Sequence, residues 1–193
     1  LAELDGLIAA GVSYVYWIDE IFLPNDALVE ALATRPIQFG VQTRIDLWSL
    51  PQLARLGEAG CVSIEAGIES ISMAGRAALD KRCKLDTPAL TERLLHARRT
   101  VPFVQATLMD SLFDDRSEVE AWRKELVDGG VWVNDPVPLF AYPGSPDYRA
   151  RWGEPDAVAW ERAHDDYVER FPKMSDIQND RVVRLPILED DPR

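Results

Sequence analysis

Segments with helical apolar spacing alternate along this chain with short β-branched and aromatic runs, and that rhythm is the strongest constraint on its fold. Ala2 to Ala10 reads as a helix closed by Gly11, and Val12 to Leu23 as a strand that stops at Pro24-Asn25. A helix over Asp26 to Thr34 ends before Pro36, a second strand spans Ile37 to Trp48, and Ser49 with Pro51 caps a helix that reaches Ala59-Gly60. The third strand is Cys61 to Ile68, followed by a loop or short helix from Ser70 to Gly75. Thr87 is the expected cap of a helix with Pro88 at its first position, running to about Arg99. Val101 to Met109 is the fourth strand, Asp114 to Gly129-Gly130 the next helix, and Val131 to Ala141 the fifth strand despite Pro136 and Pro138. Trp152 to Phe171 reads as a last helix and 172–193 as an irregular, acid-tipped tail. Such alternation implies right-handed crossovers and a parallel sheet, either open and doubly wound or curled into a barrel.

Composition removes several function classes. The sum of 21 Lys and Arg against 33 Asp and Glu leaves a net charge of -12 with no basic run, so a nucleic-acid backbone is an unexpected partner. No apolar run approaches the roughly 20 residues of a membrane helix, and Glu3 and Asp5 stand where a signal peptide carries basic residues. Only Cys61 and Cys83 occur, too few for a disulfide scaffold and wrongly spaced for a metal knuckle, so a reducing cytoplasm is the expected compartment and no metal ligand is expected in the chain. Because Leu1 already lies on a helical pattern, a fragment of a longer protein is expected, with the missing N-terminal portion as its partner.

In parallel α/β folds ligands bind at the carboxyl ends of the strands, so the polar residues that interrupt each strand there are the informative ones. They are Asp19-Glu20, Gln42-Thr-Arg44-Ile-Asp46, Gly67-Ile-Glu69-Ser70, Gln105-Ala-Thr107 with Asp110, and Tyr142-Pro-Gly144-Ser-Pro146. Each alone fits a helix cap or a loop bond, but Glu and Arg within strands are costly unless paired or bound to a ligand. A rim of carboxylates and arginine suits a zwitterion with hydroxyls. Neither a GxGxxG nor a Walker loop is present, His96 and His164 fall on helices, and Ser70 and Ser145 lack a GxSxG elbow, which disfavours nucleotide-phosphate binding and serine hydrolysis. Trp122, Trp152 and Trp160 are expected to pack helices against the sheet.

The ordered series Tyr16-Trp-Ile-Asp19-Glu20-Ile-Phe22 with Asn25, Gln42-Thr-Arg44-Ile-Asp46, Ala59-Gly60-Cys61, Gly67-Ile-Glu69-Ser70, Leu79-Asp-Lys81 and Tyr142-Pro-Gly-Ser-Pro-Asp-Tyr148 resembles the later part of radical S-adenosylmethionine (SAM) enzymes, especially their cobalamin-binding branch. The resemblance implies a parallel (β/α) partial TIM-type barrel. Residues 1–171 would supply its second to sixth strands with a C-terminal helix, and the first strand would lie upstream. It also implies a 4Fe-4S cluster whose CxxxCxxC ligands lie outside this chain, cobalamin as a methyl carrier in that branch, and a small-molecule substrate.

Carried over position by position, Asp19 and Glu20 match the segment that meets the amino group of SAM, and Gln42 and Arg44 the polar end of the third barrel strand. Glu69 and Ser70 match the ribose-binding position, and Lys81 a base that meets the methionyl carboxylate. Gln105 and Asp110 fall where the family's adenine-side contact lies, although Met109-Asp110-Ser-Leu112 replaces its Gly-x-Pro turn. No catalytic residue is assigned. Two other classes stay open: a non-catalytic α/β ligand-binding or scaffold domain, and a metal-free aldolase or isomerase barrel with Lys81 as Schiff-base lysine.

Overall fold

A computed structural model describes residues 1–110 and 113–170. Phe171 and the tail 172–193 lie outside the described residues. Within the span 1–171 the described residues gather into two compact units, Leu1–Pro136 and the residues from Val137 onward.

The first unit is α/β. Helix α1 (Ala2–Ala9) precedes strand β1 (Tyr14–Trp17), helix α2 (Asp26–Ala33), strand β2 (Gln38–Thr43), a single 3-10 turn at Ile45–Leu47, and helix α3 (Leu50–Glu58). Strand β3 (Cys61–Glu69) follows, then helices α4 (Met73–Ala78) and α5 (Thr87–Ala97), strand β4 (Phe103–Asp110), helix α6 (Arg116–Asp128) and the two-residue strand β5 (Trp132–Val133). Every pairing along the order β1-β2-β3-β4-β5 is parallel. The sequence thus specified the parallel α/β class.

Sequential order has a consequence that a doubly wound sheet does not share. Right-handed crossovers between strands added always on the same side put every connecting helix on one face, and α2, α3, α5 and α6 accordingly pack each against the next. The core lies between those helices and one face of the sheet, where Phe39, Val41, Ile64, Ala66, Ile68, Val104, Ala106 and Leu108 are buried against Leu32, Leu53, Leu56, Leu94 and Leu126. The other face carries Tyr14, Tyr16, Glu65, Phe103 and Gln105, and among the described residues the buried core of this unit lies on the opposite, helix-covered face.

Several boundaries differ from those expected, each for a local reason. Strand β1 stops at Trp17 rather than Leu23 because Phe22 folds back: its N–H donates to the Gln42 carbonyl at 2.8 Å, and its ring is buried 6.2 Å from that of Trp48. Strand β2 ends at Thr43, whose hydroxyl bridges the Phe22 carbonyl (2.6 Å) and the Trp48 indole N–H (2.9 Å). Ser49 caps α3, as the sequence suggested, and the structure adds Gln52 as its capping-box partner. The cap of α5 is Asp86, not Thr87, since the Thr87 hydroxyl is drawn off to the Ile71 carbonyl. Strand β5 is far shorter than Val131 to Ala141. The Asn134 side chain takes over the ladder, accepting from Leu108 N–H at 2.7 Å and donating to its carbonyl at 3.0 Å, and Pro136 then offers no N–H.

In the second unit the helix expected from Trp152 starts only at Ala159, and a further helix that was not expected precedes it. Helix α7 (Pro146–Trp152), capped by Ser145, ends at Gly153, whose φ of 79° only glycine adopts freely, and α8 (Ala159–Arg170) starts beyond Pro155. Tyr148 is buried there, 4.9 Å from the Trp152 ring. Trp122 is a packing residue, its indole N–H bonded to Thr91, but Trp160 is exposed, contrary to expectation. Among the described residues no helix is long and apolar enough to cross a membrane.

Candidate functional site

The carboxyl ends of β1 to β4 lie along one edge because the strands are parallel, and the rim residues fall into three situations. After β1 the chain is exposed: Ile18 is 91% accessible, and Asp19 and Glu20 are exposed, with no side-chain hydrogen bond or ion pair among the described residues. Phe22 is the buried residue of this loop and anchors it to the core. Asp110, the last residue of β4, is likewise exposed.

Beyond β2 and β3 the charges are paired. Arg44 forms a fork with Asp46, Nε to Oδ1 at 3.2 Å and Nη2 to Oδ2 at 2.7 Å. This bonding holds the guanidinium above its ordinary pKa against the opposing effect of burial, with Cys83 and Glu69 close enough to add to the shift. Glu69 closes β3 with φ 67°, a left-handed conformation costly for a residue with a Cβ. Its carboxylate accepts from the Lys81 ammonium at 2.6 Å; the side chains are 24% and 13% exposed respectively. A Cβ on Gly67 would stand 2.5 Å from Glu69 Oε1 and 3.1 Å from Lys81 Nζ, so the Gly67-Ile-Glu69 spacing leaves room for this ion pair on the open face. Oε2 of Glu69 has no hydrogen bond among the described residues.

Ser70 differs from the expected ligand contact. It is fully buried, its hydroxyl donates to Asp114 Oδ1 at 2.8 Å, and Gly75 is packed so closely that a Cβ there would strike the Ser70 Oγ. Asp114 also accepts from the amides of Ile71 (3.0 Å) and Ser72 (3.1 Å). Burial opposes its charge, but hydrogen bonds from Ser72, Ser70 and those amides outweigh burial and hold the carboxyl below its usual range. Beneath the same loop Arg76, 1% exposed, donates to the carbonyls of Ser70 (2.9 Å), Ile71 (2.8 Å) and Leu85 (2.9 Å). Ser70, Asp114 and Arg76 therefore form a lock that shapes the loop presenting Glu69.

The structure thus brings Arg44, Glu69 and Lys81 together with Asp46, and leaves Asp19, Glu20 and Asp110 as exposed neighbours along the edge. Gln42 and Gln105 are not rim residues. They sit within the sheet in one row with Glu65, Gln42 opposite Glu65 on β2 and β3 and Glu65 opposite Gln105 on β3 and β4. Sequence reasoning missed Glu65, Asp114 and Arg76. The alternation Ser63, Glu65, Gly67 was the signal for Glu65, since a parallel strand covered on both faces is apolar throughout. Asp114 was hidden by Asp115, which caps α6 through the amides of Ser117 and Glu118.

The thiols do not suit an iron-sulfur cluster. Cys61 opens β3 at the amino end of the sheet, buried, with its pKa pushed up to about 12 by burial, whereas Cys83 lies in the segment after α4. Among the described residues no group of three or more His, Cys, Asp or Glu could hold a metal ion. His164 is exposed beside Asp165 at 3.6 Å. Compared with protein-family models and with curated proteins, the chain matches none.

Proposed function

We propose that this chain is the SAM-binding wall of a radical SAM enzyme, a partial (β/α) barrel whose open face and carboxyl edge hold SAM and a small-molecule substrate. The observation that supports this reading most is the Glu69–Lys81 pair seated on Gly67 at the carboxyl end of β3, with Arg44 beside it. The donor set fits SAM: Glu69 would accept ribose hydroxyls through Oε2 while keeping Lys81 on Oε1, and Lys81 would turn its remaining N–H groups toward the methionyl carboxylate. The exposed Asp19 and Glu20 would receive the amino group. The strained backbone at Glu69, held by the Ser70–Asp114–Arg76 lock, would aim that carboxylate before the ligand arrives. Bound beside a reduced cluster, SAM supplies the radical chemistry.

Two further observations support a partial barrel. Helices lie on one face of a sheet of sequential order, and β1 pairs only with β2 among the described residues, leaving its other edge for a further strand. Because the thiols of this chain do not form a cluster site, the cluster ligands would come from outside it. Cobalamin, as the methyl carrier of the related branch, belongs to the same proposal.

Calorimetric titration of the protein with SAM tests the reading. Binding that falls at least tenfold in Glu69→Ala, from the loss of charge-assisted bonds worth about 1.5–3 kcal/mol each, supports it. No SAM binding at millimolar ligand counts against it. One observation favours the second reading, an α/β scaffold without catalysis: Arg44, Glu69 and Lys81 already have intramolecular partners. On that reading Glu69→Ala lowers the melting temperature without altering any SAM titration.

A further inference from the structure

Register places three polar side chains side by side in the middle of the open face. Gln42, Glu65 and Gln105 are consecutive partners on β2, β3 and β4, and Trp132 of β5 extends the row. Neighbouring strands lie about 4.8 Å apart, so the backbone positions of the three residues step across the sheet at that spacing, with Glu65 in the middle. One register step toward the amino ends is a second row, Tyr16, Gly40, Ser63 and Phe103. Gly40 has no side chain there, and the Tyr14 hydroxyl and Tyr16 ring occupy the space a Cβ would take.

Glu65 is half-buried, yet no Lys or Arg bonds to it among the described residues. Tyr16, on the same face, has its phenol pushed up to about 12, by burial first and then by the nearby Glu65 carboxylate. A partly desolvated carboxylate without a counter-charge is unfavourable. The cations of the neighbouring rim are engaged elsewhere, Lys81 by Glu69 and Arg44 by Asp46. The rings of Tyr16, Phe103 and Trp132 are exposed around the row and would present π-faces to a cation.

We infer that the row Gln42–Glu65–Gln105 binds the cationic head of the substrate, a protonated amine or amidine, with Glu65 as counter-ion and the two carboxamide oxygens accepting its outward N–H groups. A planar amidinium suits the row best, because its paired N–H edge meets a carboxylate in a fork and its remaining N–H groups point along the row to the flanking acceptors. This rests on the reading of the open face as the substrate side and adds the chemical class of what lies on it. The site is separate from the Glu69–Lys81 pair assigned to SAM.

The test uses benzamidine as probe and benzamide, its neutral analogue, as comparison, with binding to the intact chain followed by ligand-observed NMR at pH 7. Benzamidine should bind at least tenfold more tightly than benzamide, Glu65→Gln should remove that preference, and Gln105→Leu should weaken benzamidine about threefold. Glu58→Gln, which removes an exposed charge at the end of α3, should leave binding unchanged and so separate a site from general attraction to an acidic surface. Equal binding of the two probes, or benzamidine binding indifferent to Glu65→Gln and Gln105→Leu, overturns the inference. SAM calorimetry on the Glu65→Gln protein keeps the two readings apart. Intact SAM binding with no benzamidine preference in the wild type refutes only the cation site, whereas a Glu65-dependent preference without SAM binding refutes only the SAM assignment.

Discussion

The loop after β1 and the loop after β3 leave the same edge of one sheet and treat their charges in opposite ways. After β3, the Ser70 hydroxyl, the Asp114 carboxylate and the Arg76 guanidinium are bonded to one another or to carbonyls and amides of the turn. After β1, Asp19 and Glu20 reach into solvent and an aromatic anchor, Phe22, holds the chain. Charges satisfied inside the fold are there to hold a shape. Charges at a strand end that make no bond among the described residues would be available to a ligand, and Glu69 stands between the two kinds, with Oε1 engaged and Oε2 unbonded among the described residues.

The sharpest break of this contrast is Arg76→Met. Removing a buried guanidinium takes away three hydrogen bonds from a charged donor, worth about 1.5–3 kcal/mol each. The Ser70 carbonyl is left with no donor among the described residues, while Ile71 keeps the Thr87 hydroxyl and Leu85 the Cys83 thiol, so the loss of unfolding free energy in urea should be about 3 kcal/mol or more. A loss below 1 kcal/mol would show that the lock contributes little.

Asp114→Ala comes next, at about 2 kcal/mol at pH 7 for a carboxylate that accepts from Ser70, Ile71 and Ser72. The pH dependence has a definite sign. Because the folded carboxyl titrates below its unfolded value, its contribution is fully present above about pH 4 to 5 and is lost as pH falls through the lower folded value. Denaturation curves of wild type and variant should converge in that acid window. If the gap stays constant down to pH 2, Asp114 acts only through packing.

Gly67→Ala probes the intermediate case. The added Cβ would meet Glu69 Oε1 and Lys81 Nζ, the far ends of flexible side chains that can move aside, so the melting temperature should fall by no more than a few degrees. SAM affinity should nevertheless drop several-fold, because the pair loses its seat. Unchanged affinity would separate the pair from ligand binding. The smallest effect belongs to Asp19→Ala combined with Glu20→Ala, which should change stability by less than about 0.5 kcal/mol while weakening SAM. A large destabilisation there would erase the distinction between the two loops.

How much of this was legible beforehand follows from the range of each interaction. The sequence by itself determined the parallel α/β class, through alternating segments, Ser49 as the cap of α3, and Gly60 at a φ of 100° between α3 and β3. These are local matters of φ, ψ and period, complete within a few residues. It also carried, unread, the parity that puts Ser63, Glu65 and Gly67 on one face, because successive strand residues must point opposite ways. Only the tertiary structure decided which charges satisfy each other. Lys81 meets Glu69 across 12 residues and Asp114 meets Ser70 across 44, distances bridged by loops whose path turns on a left-handed residue and a buried arginine. Likewise, nothing near Gln42 or Gln105 signals that each flanks Glu65; register fixed that, and register comes from burying Phe39, Val41, Ile64 and Val104 together under the helices.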